Sequence, residues 1–110
     1  MVALVAAARQ AGAVIVVSAL TIVEAVHDRT DMRRLQWVLS GLTVEGVEPG
    51  DAMVAVQLLR DAGGLHGHTH AIDALVAALA LRMPGRPVVM ASDPKDWTRL
   101  VGDRVSITVV

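Results

Sequence analysis

"PVVMASDPKDWTRLVGDRVSITVV" (87–110) reads as strand, helix, strand, and that reading decides the fold. "PVVMAS" (87–92) is a short apolar run of the kind buried in a parallel sheet. "DPKDWTRLVG" (93–102) opens on an acid before a proline and closes on a glycine, the punctuation of a short helix. "RVSITVV" (104–110) returns to β-branched residues and makes the last strand. A strand, a crossover helix and a second strand form the unit from which parallel sheets are built.

The helix before it, "HAIDALVAALAL" (70–81), is apolar almost all the way round except for Asp73. A helix without a polar face belongs in an interior. An unpaired carboxylate there is costly, so Asp73 must be neutral, paired, or turned toward a pocket that holds a cation.

Further toward the N-terminus, "PGDAMVAVQLLRDAGG" (49–64) is an amphipathic helix closed by Gly63 and Gly64, and "LHGHT" (65–69) is a connecting loop. "LTVEGVEP" (42–49) is a short, more polar strand suited to a sheet edge. "DRTDMRRLQWVLSG" (28–41) spaces Met32, Leu35, Val38 and Leu39 as a helix that stops at Gly41. "AVIVVSA" (13–19) is a β-branched strand expected to be buried on both faces, and Ser18 opens the helix that carries Thr21 and Glu24. Residues 2–10 form an Ala-rich helix ended by Gly12. Alternating strands and helices predict an α/β fold, a three-layer αβα domain around a parallel sheet, with 1–110 as one domain.

Composition narrows the function. More than half of the 110 residues are hydrophobic, with no Phe or Tyr and only Trp37 and Trp97 as aromatics. The net charge of −1 gives no overall basic field for nucleic acid, so such a ligand needs a local device. The absence of cysteine excludes a disulfide framework and a thiolate metal site. No run is long enough to span a bilayer and no basic segment precedes the first apolar stretch. The expectation is a cytoplasmic protein with no membrane partner.

In open parallel α/β sheets, ligands bind at the carboxyl ends of the strands. Glu24 lies on the helix leaving "AVIVVSA", Asp93 follows "PVVMAS" directly, and Asp73 sits near the start of the apolar helix before that strand. Three acids from three elements can thus meet at one end of the sheet. Clustered carboxylates raise one another's pKa and are best neutralised by a hard divalent cation. The preferred reading therefore has Asp73 facing a metal. Each acid also has a structural reading. Asp93 before Pro94 serves equally as a helix N-cap, and Asp96 as a first-turn acid favoured by the helix dipole. Glu24 could sit on a solvated helix, although Ile22, Val23, Ala25 and Val26 leave little room for a wet face.

"SALTIVEA" (18–25), "HAIDALVAALAL" (70–81) and "VVMASDPKDW" (88–97) together resemble the PIN-domain nucleases, and specifically the VapC-like toxins of prokaryotic type II toxin–antitoxin modules. The likeness runs along essentially the whole chain, with Ala91 where the family usually has Thr. It implies an endoribonuclease dependent on Mg²⁺ or Mn²⁺, with Glu24, Asp73 and Asp93 as metal ligands and catalytic acids. Asp96 joins them because some members use the later acid of that motif. It further implies an RNA substrate, a neutralising antitoxin protein and a homodimer. The family opens with a strand ending in Asp. This chain starts in the helix that follows, so the resemblance marks it as N-terminally incomplete, with the first strand absent.

Two other stretches stand out. "HGHTH" places His66, His68 and His70 at alternate positions, as a solvated loop, an RNA contact or a zinc site. "HDRTDMRR" concentrates Arg29, Arg33 and Arg34, either as a solvated helix face or as a phosphate-contacting rim. In the family this region also helps to form the antitoxin groove, which would leave Leu35, Trp37 and Leu39 partly exposed. Two alternatives to the nuclease remain: a non-catalytic PIN-like fragment acting as a protein-binding module, and a receiver-like α/β domain with an acidic Mg²⁺ pocket. The second lacks a glycine-rich phosphate loop after a strand.

Overall fold

The structure, a computed structural model, describes residues 6–7, 10–11, 15–85, 87–91 and 94–109. They fall into two compact units divided after Gly46, each with one parallel strand pair among its described residues.

In the first unit Val16–Ser18 (β1) pairs in parallel with Thr43–Glu45 (β2), Val17 opposite Val44. Ala19–Ala25 (α1) and Met32–Ser40 (α2) form the crossover between them. Ser18 turns strand into helix without a loop: its hydroxyl oxygen accepts the Leu20 amide at 3.1 Å, satisfying a donor that the first turn leaves free. Asp31 caps α2 in the same way by accepting the Arg34 amide, and Gly41 ends it. Val16 and Val17 are half-buried, not buried on both faces as their composition suggests, because β1 has one strand neighbour among the described residues. Ser18 is the only buried residue among those described in this unit. Of the expected helix over 2–10, Ala6, Ala7 and Gln10 are helical, and the Ala11 amide donates to the Ala7 carbonyl. The rest of that stretch lies outside the described residues.

The second unit begins with a helical hairpin, Pro49–Ala62 (α3) and Gly67–Arg82 (α4). Val88–Ala91 (β3), Pro94–Val101 (α5) and Ser106–Val109 (β4) follow as the expected β-α-β unit, β3 parallel to β4 with Val89 opposite Ile107. Its core is made where α4 presents small residues. Ala74 and Ala77 are fully buried, and with no bulk at those positions Leu58 of α3 and Trp97 and Leu100 of α5 close over the helix. Gly63 and Gly64 adopt the left-handed φ values of 64° and 74° that end α3. A side chain at Gly64 would also crowd the Arg99 guanidinium, which donates to the Gly63 carbonyl and so covers the negative end of α3.

Asp51 stands in the first turn of α3. It is 4% exposed. Its carboxylate accepts Arg82 Nε at 2.9 Å and the Glu48 amide at 2.9 Å, tying the start of α3 to the end of α4. The hydrogen bond from Arg82, aided by that of the Glu48 amide, holds the Asp51 carboxyl below its ordinary value of 3.8 against the opposing pull of burial. A carboxyl depressed in the folded state stabilises it fully above the ordinary value, and that stability is lost as pH falls through the depressed one. Arg82→Ala should therefore cost about 2–4 kcal/mol at neutral pH, because it strands a buried carboxylate. The difference from wild type should shrink below about pH 4. Urea unfolding of both proteins at neutral and acid pH checks both the size and the trend.

Candidate functional site

The chain's candidate acids divide between the two units. Glu24 stands in the last turn of α1, which β1 reaches through the Ser18 cap, so it follows the carboxyl end of a parallel strand as expected. It is exposed, as are Val23, Ala25 and Val26 around it. That corrects the expectation of a dry helix: α1 has no buried residue.

In the second unit the fold builds a more constrained arrangement. The segment 66–70 is not a loop. His66 takes the N-cap position of α4 with extended backbone, and the Thr69 and His70 amides donate to its carbonyl at 3.0 and 2.7 Å. The histidines are therefore not aligned by the two-residue alternation of an extended chain; His66 and His70 stand one helical turn apart. His70 has φ −116° and ψ 16°, a kink between this opening turn and the long apolar part of α4.

The kink positions the His70 ring. Its Nδ1 lies 3.3 Å from both the amide nitrogen and the carbonyl oxygen of His66. Its Nε2 lies 3.3 Å from Asp96 Oδ2 in the first turn of α5, with the two side chains 16% and 27% exposed. A neutral ring protonated on Nε2 accepts the His66 amide and donates to Asp96. A doubly protonated ring donates to both the His66 carbonyl and Asp96. In either state His70 clamps the opening turn of α4 to α5. Asp96 is thus more than a helix-dipole acid. Asp73 follows one turn beyond the kink and is half-buried.

The structure accordingly brings Asp96 and His70 together. Asp93 lies outside the described residues. Among the described residues, no three His, Cys, Asp or Glu side chains gather into a group able to hold a metal ion. Sequence reading missed the His70–Asp96 pair because the pair spans two helices. The available signal was the spacing of His66, His70 and Asp73, which suits one helix better than a loop. A shallow, open depression in the first unit is lined by residues that include His27, Arg29, Asp31 and Arg34. No helix among the described residues is long and apolar enough to cross a membrane. No protein-family model, curated protein or solved structure matches the chain.

Proposed function

We propose that the protein is a PIN-like, metal-dependent endoribonuclease, a cytoplasmic toxin held inactive by a cognate antitoxin protein and acting as a homodimer. The observation that carries the reading is the order of acids on the parallel framework. Glu24 is on the helix leaving β1, Asp96 is in the first turn of the helix leaving β3, and Asp73 is near the start of the helix preceding β3. A three-layer αβα arrangement around a parallel sheet is part of the same proposal.

Glu24, Asp73 and Asp93 would hold Mg²⁺ or Mn²⁺. Their donor chemistry fits, since carboxylate oxygens are the ligands that hard divalent cations take. When bound, the cation supplies an acidified water and neutralises charge on the phosphate. The chain's own part is positional. Asp73 is carried on a helix anchored by the Ala74 and Ala77 core, and Asp96 is oriented by His70. Glu24 or Asp93 would further position that water.

The test is incubation of a mixed RNA pool with the chain in Mn²⁺ and, in parallel, in EDTA. Cleavage in the first and none in the second is expected. Intact RNA in both would overturn the nuclease reading. A second reading, a non-catalytic module that binds an antitoxin or another protein, is favoured by one observation: Trp37 on α2 is 74% exposed, with Leu35 and Leu39 half-buried. It predicts a partner that raises the unfolding temperature of a chain that cuts nothing.

A further inference from the structure

We infer that the turn 27–30 and α2 form the track for a single-stranded RNA backbone, with Trp37 as the platform for a base. This rests on the ribonuclease reading and gives its substrate a place on the chain. The turn "HDRT" is tied at both ends. The His27 amide donates to Thr30 Oγ1 at 2.9 Å, and the Thr30 amide donates to the His27 carbonyl at 3.1 Å. The Arg29 amide donates to His27 Nδ1 at 3.1 Å, which leaves the ring proton on Nε2 as an outward donor on a side chain 66% exposed.

Arg29 and Arg34 line the depression that starts at Ala25, one residue beyond Glu24. Neither guanidinium, nor that of Arg33, makes a hydrogen bond or ion pair among the described residues. Asp31, the acid that lines the same depression, is engaged as the cap of α2. Guanidinium groups with no partner among the described residues, one on a pre-tied turn and two on the helix after it, are suited to bidentate contact with phosphate oxygens. Trp37 lies three residues after Arg34 and four after Arg33, hence on the same side of α2. Arginines in a shallow depression beside an exposed aromatic are a combination that holds single strands, even with Asp28 and Asp31 close by. Every base has a face to stack while its phosphates follow the guanidinium groups. A duplex hides those faces, so the platform favours a single strand.

Fluorescence anisotropy of a labelled oligouridylate, titrated with the full chain in EDTA across a range of salt, tests the track apart from any cutting. Wild type should bind with a salt-dependent affinity. Replacing both arginines (Arg29→Ala with Arg34→Ala) should lower the log-affinity against log-salt slope by about 1.4, since each single-strand phosphate contact contributes about 0.7. Lysine at both positions should restore most of the slope. Trp37→Ala should weaken binding about fivefold or more without changing the slope, and Trp37→Phe should recover much of that loss. Arg60→Ala, an exposed arginine on α3, is the charge control and should change the affinity less than about twofold. No binding by wild type, an unchanged slope in the double arginine variant, or an equal effect from Arg60→Ala would overturn the inference. A chain that binds this way but cuts no RNA in Mn²⁺ fails as a nuclease while keeping the track. A chain that cuts RNA regardless of these residues fails only here.

Discussion

Trp97→Ala is expected to unfold the second unit or bring it to the edge of unfolding. The indole is 5% exposed and sits among Ala74, Ala77, Leu58 and Leu100 in a core built largely from alanine. Alanine-rich packing has few long side chains that can swing into a void, so the cavity left by the indole would not collapse. Large-to-small changes of this kind cost about 3–5 kcal/mol. A small domain has only about 5–15 kcal/mol in total. Thermal unfolding by circular dichroism, compared with Trp97→Phe, checks the size. Tryptophan fluorescence supplies a second readout: with Trp37 replaced by Phe, the remaining Trp97 should emit from a dry, quencher-protected site. An Ala variant that unfolds within a few degrees of wild type would show that the core is not built around Trp97.

The second large effect is on chemistry. Asp73→Asn keeps the size of the side chain and removes its charge, at a position that is half-buried. Asp73 also makes a polar interaction in the folded chain, so the variant should lose about 1–3 kcal/mol of stability, read separately by urea unfolding. If Asp73 is a metal ligand, RNA cleavage in Mn²⁺ should fall by at least about 100-fold, because even partners outside the ligand set cost roughly 10–100-fold in affinity or activity. The ratio of cleavage rates at equal folded concentration is the measurement. Equal rates would remove Asp73 from the site.

Local elements were legible in the sequence wherever one residue settles the backbone. Ser18 is an N-cap, Gly41 and Gly63 are helix ends, and the apolar run at 88–91 and the β-branched one at 106–109 are a parallel pair, all as their chemistry requires. What failed was reading whose decisive partner is distant in the chain. Asp51 looks ordinary until the short connection between α3 and α4 makes them antiparallel neighbours and brings Arg82 beside it. The histidines of 66–70 alternate with other residues, which suggested an extended loop, but the His66 carbonyl takes two amides and starts a helix. Burial was also overestimated from composition alone. The valines of β1 and the residues around Glu24 are apolar, yet among the described residues α1 has nothing packed over it that buries them.

The candidate site was legible as a set of acids and not as a geometry. Glu24, Asp73 and Asp96 occupy the elements expected of them, and the structure adds His70, which sequence reading had left among loop, RNA contact and zinc. A sequence motif carries residue types and their order, not the distances that holding a metal requires.

The most direct measurement is the chemistry of the RNA ends left by the chain in Mn²⁺, read by mass spectrometry. A cation held by these carboxylates would supply an activated water, and hydrolysis of the phosphodiester by water leaves a linear monophosphate. Attack by the neighbouring ribose hydroxyl leaves a cyclic phosphate and needs no metal. The account predicts linear ends only, absent in EDTA and in Asp73→Asn. Cyclic ends, or cleavage that persists in EDTA, would contradict it.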